Sequence, residues 1–123
     1  MSFNSIAQRI HEVDVVGIRT DDFHEFLKMW VINVDGRLFA RSWNKSSKSW
    51  YWAFKKAGCG IMLVDKDEYL VKAIIPSDDE NLHLAINNAY KSRYGSGEAS
   101  SIAKSMQDRS RWPMTIEFMI LDK

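Results

Sequence analysis

The dipeptide Asp35-Gly36 is the feature that most constrains how this chain folds, because it stands between two segments of alternating apolar residues. Glycine adopts the positive φ that a two-residue hairpin turn requires, so the dipeptide predicts a tight turn between antiparallel strands. The predicted strands run over residues 28–34 and 37–43. The apolar residues that share one face of the first strand are Trp30, Ile32 and Val34. The chain therefore contains at least one antiparallel hairpin.

The same reading, applied along the chain, gives an α+β fold. Four further segments are predicted as strands: residues 13–19, 60–64, 68–75 and 114–121. Helical spacing and capping residues predict a short N-terminal helix ending near His11, a helix over 50–57 that stops at Gly58, a helix capped by Ser77 and Glu80 that stops at Gly95, and a helix over about 98–107. Six strands with hairpin-like connections imply an antiparallel sheet, and closure into a small barrel would hide its edges.

Length and composition predict one domain spanning residues 1–123. A single cysteine, Cys59, cannot form an internal disulfide, which favours a reducing compartment. No apolar run reaches the roughly 20 residues that a membrane span needs, and the N-terminus has no secretory-signal pattern. We therefore expect a cytoplasmic protein that does not enter a membrane.

The motifs of common catalytic sites are missing from the sequence. His11, His24 and His83 lie far apart and lack the paired spacing of a zinc site. There is no serine elbow, no phosphate-binding glycine loop and no dinucleotide fingerprint. We assign no metal ligand and no catalytic residue from the sequence.

One segment, from Arg41 to Lys56, mixes cations with aromatic residues. Its relevant members are Arg41, Ser42, Trp43, Lys45, Lys48, Trp50, Tyr51 and Trp52. Arginine and lysine bind phosphate through charge-assisted hydrogen bonds, and aromatic rings stack on flat heterocycles. Between Gly36 and Val64 there are six basic residues and no acidic one, although the net charge of the chain is only +1. This pattern predicts a site for an anionic ligand that carries a flat ring.

A purely structural explanation of the same segment stays open. Tryptophan usually belongs to the core, and Arg41 shares a strand face with Phe39 and Trp43, so its stem can cover a partly buried edge. The basic run can equally be a solvated face.

The order of residues around the hairpin also resembles a known family. Trp30, the Asp35-Gly36 turn, Leu38-Phe39, Arg41-Ser42 and the later Lys48 resemble the central hairpin of the pyridoxamine-phosphate-oxidase-like, FMN-binding split barrels. Over nearly its whole length the chain resembles a family of small bacterial proteins of unknown function that is thought to share this barrel. The residues that carry this second resemblance are Ala89-Tyr90, Tyr94-Gly95 and the alternating final strand.

The resemblance implies a six-stranded antiparallel split barrel with an N-terminal helix and two helices in the C-terminal half. It also implies a homodimer and a bound FMN or deazaflavin. The implied phosphate contacts are Arg41, Ser42, Lys45 and Lys48, and the implied neighbours of the rings are Trp43 and Trp50.

Three functions follow as hypotheses. The first is a flavin-binding protein, with oxidoreductase activity as a further step because the cofactor would carry the redox chemistry. The second is a non-enzymatic split barrel that binds another small anionic or aromatic ligand. The third is a single-stranded nucleic-acid module, which the near-zero net charge and the acidic remainder of the chain disfavour.

Overall fold

The computed structural model describes residue 10 and residues 15–20, 25–42, 49–77 and 79–121, with residue 98 described in its backbone only. The strands are β1 (Val16–Arg19), β2 (Leu27–Met29), β3 (Ile32–Val34), β4 (Arg37–Arg41), β5 (Cys59–Val64), β6 (Asp67–Ile74) and β7 (Thr115–Ile120). The α-helices are α1 (Trp50–Ala57), α2 (Glu80–Tyr94) and α3 (Ser100–Met106), and 3-10 helices cover Gly97–Ala99 and Arg109–Met114.

The seven strands form one antiparallel sheet in the order β2-β1-β5-β6-β7-β4-β3. Its two edge strands, β2 and β3, are consecutive in the chain, with only Trp30 and Val31 between them. The step from Met29 to Ile32 spans at most roughly 11 Å, so the two edges of the sheet must lie close together. The sheet is therefore curled into a barrel-like α+β fold.

The expectation of six strands is wrong, because the predicted strand over residues 28–34 is two short strands. Its first part pairs with β1, Met29 opposite Val16, and its second part pairs with β4, Ile32 opposite Phe39. The chain leaves one neighbour for the other at Trp30, whose ring stacks on Tyr94 of α2 at 3.8 Å between centroids. An alternating apolar pattern does not show where a chain stops pairing with one strand and begins to pair with another.

The hairpin turn itself is confirmed. Asp35 and Gly36 have φ values of 52° and 86°, as expected when both central residues of a two-residue hairpin occupy the left-handed region. The Gly36 N–H donates to Asn33 Oδ1 at 2.7 Å, which ties the turn to the preceding strand. Trp30, Ile32 and Val34 all pack into the same apolar cluster, as their shared face predicted.

The interior of the curled sheet holds the larger apolar cluster, and α1 contributes to it. Phe54 of α1 meets Phe118 of β7 edge to face, with 5.3 Å between ring centroids. The helix begins where Ser49 accepts a hydrogen bond from the Tyr51 N–H, and it ends at Gly58 in the left-handed conformation. These bounds confirm the predicted helix over residues 50–57, and glycine is required at its end because φ is 74°.

A second apolar cluster lies between β3, β4 and the helices α2 and α3. Its fully buried large side chains include Ile32, Phe39, Ile86 and Tyr90. The cap predicted for α2 is wrong: Asp79, not Ser77, accepts from the backbone N–H of Asn81. Glu80 is then the first helical residue and lies too early to complete a capping box. Ser77 and Asp79 are both acceptable caps, so spacing alone did not decide between them.

The remaining predicted elements agree with the structure to within a few residues. The helix expected over 98–107 is α3 preceded by a 3-10 turn, and Gly95 follows the last residue of α2 as predicted. The expected N-terminal helix lies outside the described residues except for Ile10, which is helical and buried. Within the described ranges, no helix is long and apolar enough to cross a membrane.

Candidate ligand-binding cleft

The bend between β2 and β3 opens a gap beside the end of β4. The register that pairs Ile32 with Phe39 would, if continued, bring Trp30 opposite Arg41. The pairing of β3 with β4 ends at Ile32, two residues short of that point, because Met29 already pairs with Val16 of β1. The last residues of β4 thus keep their ladder to β7 on one side and face a cleft on the other.

Tyr90 replaces the missing strand partner at this point. Its hydroxyl accepts the backbone N–H of Arg41 at 2.9 Å, which would otherwise be buried without a partner. Tyr90 is fully buried, and this burial raises the pKa of its phenol to about 12. The hydroxyl therefore stays protonated at neutral pH.

The cleft has a volume of about 490 Å³, within the range of small-molecule sites. Its described lining residues are Val15, Leu27, Lys28, Met29, Trp30, Arg41, Ser42, Ser49, Trp50, Ile102 and Met106. Two of these side chains are cationic and none is acidic, and most of the others are apolar or aromatic. Such a lining suits a ligand with a negative group and a flat apolar body.

Arg41 is the most deeply placed charge in the cleft wall, with only 2% of its surface exposed. Each of its five N–H groups has a neutral acceptor. Nε donates to Thr115 Oγ1 at 3.1 Å, and Nη1 donates to Asn87 Oδ1 and to the Met106 carbonyl. Nη2 donates to Nδ1 and to the carbonyl of His83, at 3.1 and 3.2 Å. The guanidinium is thus saturated with hydrogen bonds.

Hydrogen bonding does not neutralise the charge of Arg41. Burial lowers the pKa of Arg41 to about 10, with the Tyr90 phenol opposing that shift, so the group remains cationic at neutral pH. Among the described residues, none of its acceptors is a carboxylate. A buried charge that has no carboxylate partner among the described residues projects a positive field into the adjoining cleft.

His83 fixes the orientation of this cation from α2. Arginine has no acceptor atom, so Nδ1 of His83 must accept and the ring proton resides on Nε2. The ring stacks on Trp112 at 4.7 Å between centroids, and Arg41 Cζ lies 5.9 Å from the centroids of both Trp112 and Tyr90. The aromatic rings thus surround the guanidinium and add cation–π attraction.

Two hydroxyls and one indole line the same cleft near the start of α1. The side chains of Ser42 and Ser49 are hydrogen-bonded to each other, and both are buried. Trp50 is half-buried and leans on Phe54 and Phe118, with centroids 6.2 and 6.3 Å away. Trp50 thus belongs partly to the core while the cleft reaches its remaining surface.

The structure brings together three of the six residues predicted for the site: Arg41, Ser42 and Trp50. The other three, Trp43, Lys45 and Lys48, lie outside the described residues. Every N–H group of the Arg41 guanidinium donates a hydrogen bond within the protein. An anion in the cleft would therefore be attracted by the charge of Arg41 without accepting a hydrogen bond from it.

Sequence reasoning missed Lys28 as a cleft residue and His83 and Asn87 as partners of Arg41. Lys28 is exposed on the edge strand β2, where a lysine usually serves only to discourage strand pairing. His83 and Asn87 lie one helical turn apart, a polar pair on one face of an otherwise packed helix. That spacing is the one signal that could have indicated a buried polar partner.

The described side chains contain no group of three or more histidine, cysteine or acidic residues that could hold a metal ion. The chemistry available in the described part of the cleft is positive charge, hydroxyl groups and aromatic surface. These features bind and orient a ligand, and they do not by themselves supply a general acid or base.

A barrel-like α+β domain with a cationic, apolar cleft is thus the class of protein defined by the structure. Residues 4–118 match the family described as uncharacterized protein conserved in bacteria (DUF2255), and the chain belongs to that family. A search of curated proteins gives no match.

Among solved structures, the chain is similar in fold to the conserved hypothetical protein Rv2991 from Mycobacterium tuberculosis. The TM-score is 0.60 at 12% sequence identity, over 100% of this chain and 81% of the other. The similarity at this identity concerns the fold alone.

Proposed function

We propose that this protein binds a small anionic molecule with a flat aromatic body in the cleft between β2 and the end of β4. The observation that carries the proposal is the buried Arg41 cation, whose hydrogen-bond partners in the described part of the chain are all neutral. Burying a charge is costly unless an opposite charge approaches it. An anionic ligand in the cleft would supply that charge.

FMN, or a deazaflavin, is the ligand that we propose first, because it joins a phosphate to a planar ring system. Lys28 would contact the phosphate with the Ser42 and Ser49 hydroxyls beside it, and Arg41 would contribute its field. Trp30 and Trp50 would offer aromatic surface to the rings. A bound flavin would supply hydride or electron transfer, and the protein would then act as an oxidoreductase.

A non-enzymatic protein that holds another phosphorylated or aromatic ligand is the second candidate. The apolar lining and the two cations would serve any ligand of that shape. Single-stranded nucleic acid is disfavoured, because its backbone needs a continuous cationic track and the chain as a whole is nearly neutral.

The test compares the affinity of FMN with that of riboflavin, which has the same rings without the phosphate. Flavin fluorescence is titrated with wild-type protein and with Lys28→Gln, and Lys66→Gln is the matched control in the exposed β5–β6 turn. We expect FMN to bind more tightly than riboflavin. Lys28→Gln should weaken FMN binding about tenfold and leave riboflavin unchanged, because a charged hydrogen bond contributes about 1.5 kcal/mol.

Two results would contradict the flavin proposal: no change in fluorescence, or equal binding of FMN and riboflavin. A panel of phosphorylated heterocycles followed by thermal shift then tests the second candidate, since a ligand that binds only the native state raises the melting temperature. FMN binding that Lys28→Gln does not weaken would place the phosphate elsewhere on the protein.

A further inference from the structure

A second cavity, of about 400 Å³, lies at the junction of α2 and α3. Its described lining residues are Lys91, Gly95, Ser100, Ser101, Lys104 and Gln107. They supply two ammonium groups, two hydroxyls and one carboxamide, and none of them is acidic, aromatic or aliphatic. The cavity differs in this respect from the cleft, whose described lining is mostly apolar or aromatic.

Helical periodicity places the second cavity and the cleft on different faces of α3. Ser100 and Lys104 are four residues apart, so they lie on one face of the helix and line the second cavity. Ile102 and Met106 are also four residues apart, and they line the cleft on another face. The two cavities are therefore separate sites with α3 between them.

The end of α2 forms the other wall of the second cavity. The Gly95 N–H donates to the Lys91 carbonyl at 2.9 Å, so this carbonyl already has a donor. A side chain at residue 95 is excluded, because its Cβ would overlap the same carbonyl oxygen. Lys91 therefore supplies the charge of this wall.

The two lysines of the second cavity have no counter-ion among the described residues. Both Lys91 and Lys104 are exposed, and neither belongs to an ion pair in the described part of the chain. Two ammonium groups that line one cavity repel each other, and an anion between them would replace this repulsion by two attractions. The Ser100 and Ser101 hydroxyls can donate further hydrogen bonds to its oxygens.

We propose that the second cavity binds a compact anion of the diphosphate type, held between Lys91 on α2 and Lys104 on α3. Ammonium groups contributed by two helices suit a ligand that carries charge on two phosphoryl groups. The polar lining offers no surface to a ring, which separates this ligand class from the flat anion of the cleft. The site does not depend on whether the cleft binds a flavin.

Calorimetric titration of inorganic pyrophosphate into the full chain tests the site. We expect binding of one pyrophosphate, and Lys91→Gln and Lys104→Gln should each weaken it about tenfold, because each removes one charge-assisted hydrogen bond. Lys56→Gln is the matched control and should bind as wild type does. Lys56 is an exposed lysine in the last turn of α1, as Lys91 and Lys104 are in the last turns of α2 and α3.

NMR titrations with methyl phosphate and phenyl phosphate test whether the site ignores a ring. Followed at the Ser101 and Lys104 amides, the two affinities should agree within roughly twofold, since the described lining has no apolar residue. Phenyl phosphate that binds about tenfold more tightly at these amides would contradict the proposed ligand class.

A pyrophosphate titration with neither heat nor shifts of the Ser101 and Lys104 amides would overturn the site. Binding that Lys91→Gln and Lys104→Gln weaken no more than Lys56→Gln does would also overturn it, because the anion would then respond only to general charge. Binding that is lost with Lys28→Gln would place the anion in the cleft instead. FMN affinity should be the same in wild type and in the double variant Lys91→Gln/Lys104→Gln, so a failure of this site and a failure of the flavin proposal are seen separately.

Discussion

Arg41 connects three elements through one planar group. It extends from the end of β4 and binds Asn87 and His83 of α2, the last carbonyl of α3 and Thr115 of β7. Two of the acceptors are backbone carbonyls, which accept without adding charge. The group that positions the helices beside the cleft is therefore the same group that makes the cleft positive.

The fork geometry of arginine is needed at this position. We expect Arg41→Lys to lower the free energy of unfolding by about 3 kcal/mol, because an ammonium group cannot reach the same acceptors and leaves several of them buried without a donor. Arg37→Lys is the matched control: Arg37 is on the same face of β4 and pairs with Glu117 at the surface. It should cost less than about 1 kcal/mol.

Urea unfolding of the two variants measures this difference. Equal effects of Arg41→Lys and Arg37→Lys would contradict the role given to Arg41. An unchanged stability of Arg41→Lys would show that the buried hydrogen bonds do not depend on the guanidinium.

Tyr90 offers a second test at the scale of single atoms. Tyr90→Phe removes one hydroxyl and leaves the Arg41 N–H without its acceptor, so the free energy of unfolding should fall by about 1–3 kcal/mol at neutral pH. A variant as stable as wild type would mean that another group can accept this N–H.

The stability difference between wild type and Tyr90→Phe should also depend on pH. Burial raises the pKa of Tyr90 to about 12, whereas an unfolded tyrosine ionises at about 10. Above about pH 10 the unfolded chain loses a proton that the native chain retains, so the contribution of Tyr90 to stability falls as the pH rises. The stability gap between wild type and Tyr90→Phe should narrow over this window, and a constant gap would contradict the raised pKa.

At the scale of elements, the two-residue link between β2 and β3 produces the cleft. Because Trp30 and Val31 carry the chain from one sheet edge to the other, β4 loses its neighbour just where Arg41 and Ser42 begin to line the cleft. The stacking of Trp30 on Tyr94 holds the bend against α2.

The hairpin turn sets the register on which this geometry depends. Gly36→Ala should destabilise the protein by about 1–2 kcal/mol, because φ is 86° and alanine is strained there. Asp35→Asn is the control and should change stability by less than about 0.5 kcal/mol, since asparagine suits the same conformation. Thermal unfolding of both variants measures the effect, and an unaffected Gly36→Ala protein would contradict the turn geometry.

The sequence predicted elements well where the signal is local. The helix over residues 50–57, the hairpin turn and the inward face of the last strand follow from capping residues, glycine and alternation. The split strand over 28–34 and the Asp79 cap were missed because each depends on a distant partner, β1 in one case and the packing of α2 in the other. Likewise, Arg41 was predicted as a binding residue, but its partners on α2, α3 and β7 come from parts of the chain far from it.

At the scale of the whole molecule, the curled sheet presents two different surfaces. One is the cleft between β2 and the end of β4, which is concave and cationic. The other is the outer face of β5, β6 and β7, where Leu70 and Met119 are exposed. We expect the affinity for FMN to be unaffected by Leu70→Glu, because Leu70 does not line the cleft.

NMR of isotope-labelled protein with added FMN shows whether the cleft beside β4 binds an anionic aromatic ligand. We expect shifts of the Lys28 and Ser42 amides and of the Trp30 and Trp50 indole N–H groups, with the Leu70 amide unchanged. A spectrum without shifts, or shifts confined to residues far from the cleft, would contradict binding in the cleft.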